Sequence, residues 1–199
     1  MIKKYHLIAL LILNSCAFIS YNQVIPLLKN ATIGGDDIEL TDEYVSQQPY
    51  SFIRVDLGKG ANIIMVLQQI REGLYTWVSG DGEKIVTYNG KIIRTSGLIH
   101  NLETLNFRDF KYFSSNNKHT GIFNVMLKDP QAFIEQEFKI SLIKEGERLL
   151  FEETINVDVL DLDYSNFYWL DSSTGMPVLT KQLIHPMLPS LRIDFIYKY

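Results

Sequence analysis

Few side chains in this chain of 199 residues have the type and spacing to do chemistry. Cys16 is the only cysteine, so its thiol has no mate for an internal disulfide and is either a buried structural residue or a site of modification. His100, His119 and His185 are far apart, and none falls in a metal-ligand spacing such as H-x-x-x-H. Asp158, Asp161 and Asp163 put three carboxylates within six residues, an oxygen-rich set of the kind Ca²⁺ takes. Val157, Val159, Leu160 and Leu162 interleave with them, and the central glycine of a calcium loop is missing. The run therefore reads as a strand with one bulge and its acids turned to water, and no metal site is expected. Trp77 stands ahead of Asp81-Gly82, and Trp169 ahead of Asp171. An aromatic face beside a carboxylate can hold a sugar ring through C–H contacts and hydroxyl hydrogen bonds, which makes Trp77, Asp81, Trp169 and Asp171 the candidate contacts to a saccharide or a partner. The competing reading puts both tryptophans in a β core, where their large apolar area stabilises most. No G-x-S-x-G elbow and no glycine-rich loop leading into a helix occurs in the sequence, so no catalytic residue is expected.

The fate of Cys16 is read from what precedes it. Lys3 and Lys4 make a basic start, and Leu7 to Leu13 (LIALLIL) is an uninterrupted apolar run. A helix of that length rises about 10 Å, far short of the roughly 20 residues that span a bilayer, so the pattern is that of a secretory signal peptide. Leu13-Asn14-Ser15-Cys16 resembles a bacterial lipobox, with Leu three before the cysteine and a small Ser directly before it. The resemblance implies removal of residues 1–15, diacylglycerol on the Cys16 thiol and a further acyl chain such as palmitate on the new N-terminus. Several chains, at about 0.8 kcal/mol per buried methylene, anchor firmly where one is marginal. Asn14 departs from the signal, in which a smaller residue is usual. Ala17 follows Cys16, where Asp would retain such a lipoprotein at the inner membrane, so the implied place is the bacterial outer membrane, facing the periplasm. Apart from this covalent lipid no cofactor is expected.

The elements that must position these residues are β-rich. Phe and Tyr number 11 each, and 46% hydrophobic with 21% charged residues describes a globular body of one domain's length. A formal charge of −4 without a basic stripe argues against nucleic acid. "TIGGDD" (32–37) reads as a break. Thr41 reads as an N-cap, with Asp42 and Glu43 in the first turn, for a short helix reaching Gln48 and stopped by Pro49. From Tyr50 onward the chain reads as about ten strands, and their short links imply antiparallel neighbours. Asn89-Gly90 is the clearest link, since a type I′ turn needs positive φ at both central residues. The closing "LRIDFIYKY" sets Leu191, Ile193, Phe195, Tyr197 and Tyr199 on one side. Alternation ending in an aromatic is similar to the last strand of outer-membrane barrels, but most strands here are shorter than the roughly 9–11 residues a membrane strand needs. A half-buried strand of a soluble body is expected. The fold expected is all-β, a curved antiparallel meander sheet or half-barrel with one or two short helices near the N-terminus. Residues 1–15 would be signal peptide, 16–39 lipidated tether and 40–199 a single β-rich domain.

Three runs resemble a known family: "LTDEYVSQQPYSFIRVDLG" (40–58), "WVSGDGEKIVTYNGKIIRTSGL" (77–98) and "FYWLDSSTGMPVLTKQ" (167–182). They look like the group 4 capsule polysaccharide lipoproteins, or YjbF-like lipoproteins. The second run carries the resemblance in Trp77, Asp81-Gly82 and the hairpin Asn89-Gly90-Lys91-Ile92-Ile93-Arg94-Thr95. Lys91 stands where Arg is common. The resemblance implies an all-β outer-membrane lipoprotein acting in secretion or assembly of an extracellular polysaccharide, and implies no catalytic site.

The leading expectation is a non-enzymatic outer-membrane lipoprotein that assists export or assembly of capsule or exopolysaccharide. Its partners would be the outer membrane, through the lipid anchor, and polysaccharide export proteins or the polymer itself. The alternative is a periplasmic-facing lipid or lipoprotein carrier, which requires an open apolar cavity. A polysaccharide-trimming hydrolase would require two carboxylates facing across a cleft at about 5–9.5 Å.

Overall fold

The computed structural model describes residues 39–58, 62–109 and 118–198. The signal peptide, Cys16, the tether up to residue 38 and the break at 32–37 lie outside the described residues.

The chain enters through the short helix α1 (Asp42–Gln47). Thr41 caps it as expected, its Oγ1 accepting a hydrogen bond from the Tyr44 amide at 3.1 Å. Tyr44 then meets Phe52 edge-on, ring centres 6.0 Å apart, which seats the helix on the first strand.

Twelve strands follow among the described residues: β1 (Phe52–Asp56), β2 (Ile63–Arg71), β3 (Leu74–Ser79), β4 (Lys84–Tyr88), β5 (Lys91–Ser96) and β6 (Asn101–Thr104), then β7 (His119–Lys128), β8 (Ala132–Lys144), β9 (Arg148–Val157), β10 (Leu162–Asp171), β11 (Pro177–Gln182) and β12 (Leu191–Ile196). Each pairs antiparallel with the next, and β12 returns to β1, so the sheet is a closed barrel. The all-β antiparallel meander is as expected; the open half-barrel is not. Closure comes from a pairing between the two ends of the sequence, Phe52↔Ile196 through Asp56↔Arg192, which no local pattern encodes. On its outer face Arg54 and Asp194 form an ion pair at 2.7 Å. Ser51 Oγ fastens the same seam by accepting from the Lys198 amide at 2.8 Å. A second correction concerns the acidic run. Asp158–Leu160 form a 3-10 turn and Asp161 is left-handed, φ 47°, so the carboxylates sit on and around a β9–β10 link and not along one bulged strand.

Alternation sorts the side chains. Along β8, Ile134, Gln136, Phe138 and Ile140 point inward and are buried, while Glu135, Glu137 and Lys139 point outward and are exposed. The interior is apolar and aromatic, with Trp77, Tyr168, Phe123 and Met65 among its largest fully buried side chains, while Phe52 is buried on the outer side of β1 against Tyr44 of α1. That is the inverse of a membrane barrel, whose outer band must be apolar; an outward Lys or Arg at a bilayer midplane costs about 2–4 kcal/mol.

In a meander the links alternate between two rims. The links after β2, β4, β6, β8 and β10 share one rim with the entry into β1 and the exit from β12; the other links share the opposite rim. The ring is also pinched. β5 and β11 lie six strands apart in either direction, yet Gly90, just before β5, touches β11. A Cβ on Gly90 would come within 2.7 Å of Pro177 Cβ, and Gly90 has φ +81°, following Asn89 at φ 49° in the expected I′ turn. Both conditions require glycine. Gly90→Ala should therefore lower stability by about 1–3 kcal/mol, read as a lower urea midpoint with an unchanged slope. An unchanged midpoint would show that the walls do not press together there.

Candidate functional site

The densest polar cluster lies inside the barrel. Glu153 is fully buried on β9, in the alternation Phe151, Glu153, Ile155, Val157. Its carboxylate accepts from Lys91 Nζ at 2.6 Å, from the Tyr168 hydroxyl at 2.6 Å and from Asn166 Nδ2 at 3.0 Å. The Lys91 ammonium also lies 4.6 Å from the centre of the Phe123 ring. Gln182 of β11 treats β5 as a neighbouring strand: its Oε1 accepts from the Ile92 amide at 3.0 Å, and its Nε2 donates to Gly90 O at 2.8 Å. Nearby, Gln136 Nε2 donates to the Tyr164 hydroxyl at 3.2 Å. Burial first, and the Glu153 charge second, push the Tyr164 phenol well above its usual range. The enclosed void between Lys91, Gln136, Tyr164 and Asn166 measures about 20 Å³, room for a water and not for a substrate. The cluster is thus a sealed bridge between walls.

At the rim away from the chain ends, the β5–β6 and β11–β12 links bring together two histidines that are remote in sequence. His100 and His185 stack with ring centres 4.6 Å apart and planes 12° from parallel. His185 Nδ1 accepts from the Met187 amide at 3.2 Å, which leaves the ring proton on Nε2, a buried atom that has no hydrogen-bond partner among the described residues. Burial, and then the neighbouring His100, lower the His185 pKa from its usual value.

The four residues proposed from sequence do not form one site. Trp77 is fully buried, its Nε1 donating to Thr87 Oγ1 at 3.0 Å and its ring packed against Tyr75 and Phe195. For this residue the core reading holds, and the ring is not offered to a ligand. Asp81 sits in the β3–β4 link, where its amide donates to Ser79 Oγ at 3.2 Å. Asp171 lies at the opposite rim and organises the β10–β11 turn. Its Oδ1 accepts from the Ser173 hydroxyl at 2.5 Å, the Thr174 amide at 2.8 Å and the Thr174 hydroxyl at 2.9 Å, and these bonds hold its pKa down to about 2. Trp169 alone keeps a partly exposed ring on the outside of the barrel, 6.2 Å from that of Phe167.

That outer face is the open feature. Across β7 to β10 the sheet forms a groove of about 760 Å³. The registers place outward side chains in rows: Glu137, Asn156 and Asp163 in one, and Lys139, Thr154 and Ser165 in the next. Asn156 Nδ2 donates to Asp163 Oδ1 at 2.8 Å. Further along β10 the face ends on Phe167 and Trp169, flanked by Leu150 and Leu179 of the adjoining strands. The alternation of β10 was legible in the sequence, but the rows were not, because they depend on two cross-strand registers.

Comparison with known proteins places the chain. Residues 26–120 match the family model described as Group 4 capsule polysaccharide lipoprotein gfcB, YjbF. The uncharacterized lipoprotein GfcB of Escherichia coli K12 is 22% identical over 189 residues, covering 83% of this chain and 84% of that protein. The chain is thus similar to the group 4 capsule polysaccharide lipoproteins. YjbF of the same organism, another uncharacterized lipoprotein, is 28% identical over 68 residues, 34% of this chain and 32% of its own. The crystal structure of the hypothetical lipoprotein YmcC from Escherichia coli has the same fold, with a TM-score of 0.69 at 19% identity over 85% of this chain and 93% of that one. The runs that resemble these capsule lipoproteins now have places. Trp77 fills the core, Asn89-Gly90 makes the turn at the pinch, and Lys91 forms the bridge. The family match ends at Thr120, so most of the groove lies in the part of the chain beyond it.

Breaking one side of the buried bridge strands a charge, so Lys91→Met should cost about 3–5 kcal/mol in chemical denaturation, and Lys91→Met with Glu153→Gln should recover part of it. A double variant no better than the single would show that the pair is not coupled. For His185 the folded pKa is lowered, so the unfolded chain takes up a proton that the native state refuses. Stability should fall as pH drops through about 6.5, until the lowered folded pKa is reached. The fall should shrink in His185→Asn, measured by urea midpoints between about pH 7.5 and pH 5.

Proposed function

We propose that this protein is a non-enzymatic lipoprotein, tethered by Cys16 to the outer membrane, that assists export or assembly of capsule or exopolysaccharide. The observation that carries the reading is a closed, filled barrel in a chain similar to the capsule polysaccharide lipoproteins. Among the described residues, the voids of about 10 and 20 Å³ between the walls are too small for a lipid, which weighs against the carrier reading. Glu153, a fully buried carboxylate, is committed to Lys91, Tyr168 and Asn166 and faces no cleft. What is left to act is the outer surface, held at the membrane by the lipid, where it contacts an export component or the polymer. The signal peptide of residues 1–15 and the lipid on Cys16 belong to this proposal.

The test is surface polysaccharide in a deletion strain supplied with wild-type protein or with Cys16→Ser. Wild type should restore the polymer, and Cys16→Ser at equal protein level should not. Unchanged polymer on deletion, under conditions where the organism makes it, would overturn the export role. Full restoration by Cys16→Ser would overturn the need for the tether.

A further inference from the structure

We propose that the outer face of β7–β10 is a binding track for a neutral glycan strand, running from the Glu137–Asn156–Asp163 row to the Phe167–Trp169 platform. The proposal rests on the export reading and names which surface meets the polymer.

Three observations carry it. The first is shape: the groove is open, about 760 Å³, and lies on regular paired strands, so its side chains are held in fixed rows. From Asp163 to Trp169 is six residues of extended β10, a track about 20 Å long and suited to several consecutive sugar rings. The second is the chemistry of the rows. Carboxylates, an amide and the hydroxyls of Thr154 and Ser165 accept from and donate to sugar hydroxyls, and the Asn156–Asp163 bond fixes the orientation of two of these groups. The third is the platform. Phe167 and Trp169 alternate with the inward Asn166, Tyr168 and Leu170, so both rings stand on the outer face beside the groove, available to the C–H face of a pyranose.

Charge decides which glycan. Glu137 and Asp163 border the groove, with Glu135 and Asp158 beside them around a neighbouring hollow, against one lysine, Lys139, among the groove's lining residues. A polymer carrying uronate or phosphate would meet repulsion at that end, whereas a neutral one would meet acceptors for its hydroxyls.

The track is tested by affinity electrophoresis of the folded protein in native gels containing dextran, mannan, galactan, alginate or surface polysaccharide purified from the organism. At least one neutral polymer should retard wild type. Trp169→Ala and Asn156→Ala should each weaken retardation roughly tenfold, with unchanged far-ultraviolet circular dichroism. Trp169→Phe keeps a ring and should still bind. Since Trp77 is fully buried, bound polymer should protect tryptophan fluorescence from acrylamide in wild type but not in Trp169→Phe. Retardation by alginate alone, equal retardation of Trp169→Ala, or no retardation by any of the polymers would overturn the proposal. A photo-crosslinker at position 169 that captures a protein in cells, without polymer binding, would assign the face to a protein partner and overturn it too. If the deletion strain still loses its polymer while binding fails, the export role stands and the glycan track falls.

Discussion

A buried lysine and a fully buried glutamate, joined at 2.6 Å, set the shape of this molecule. A ring of twelve strands is wider than the roughly eight-stranded barrel that side chains alone can fill. Here the ring is not left wide. Gln182 grips the backbone of β5 from the far wall, Lys91 reaches over to Glu153, and Gly90 allows the walls to touch. A buried ion pair adds little net stability over apolar residues of the same volume, because desolvating both charges offsets their attraction. Its effect lies in geometry: only one collapse of the ring satisfies Lys91, Glu153, Tyr168, Asn166 and Gln182 together. The polar bridge therefore selects the pinched, filled state over an open, hollow one.

A filled interior leaves the outer face as the surface open to a ligand. The long strands β7 to β10 carry the groove, and their inward faces are anchored by the same cluster through Gln136, Glu153, Asn166 and Tyr168. Each outward row is thus locked by an inward neighbour one residue away. Ser165 stands next to Asn166, Phe167 between Asn166 and Tyr168, and Thr154 next to Glu153. A change in the bridge would shift the rows on the other face of the same strands.

Several features were legible in the sequence because their causes are local. The Thr41 cap, the Asn89-Gly90 turn and the alternation of LRIDFI each need only a few neighbouring residues. Closure was hidden because it joins the two ends of the sequence, Phe52 to Ile196 through Asp56 to Arg192. The bridge left a trace that could have been read. In FEETINV a glutamate occupies a position that alternation assigns to the interior, and an inward acid demands a partner. Its partner could not be found the same way, since Lys91 lies 62 residues away across the barrel. His100 and His185 were likewise hidden, because two links on one rim bring them together. Trp77 and Trp169 show the limit of motif reading: each precedes an aspartate, and their opposite fates follow from the parity of their strands.

The entry into β1 and the exit from β12 share one rim, tied by Ser51 and Lys198. If the proposed lipid on Cys16 moors the barrel by its amino-terminal arm, that rim would face the membrane and the strands would run outward from it, inclined by the usual barrel tilt of about 35–45°. β10 descends toward the moored rim as it passes from Asp163 to Trp169. A chain lying in the groove would then point away from the membrane plane and not along it. On the proposed function, the heading of the track, inward at Trp169 and outward at Asp163, would be that of a filament being threaded through a surface.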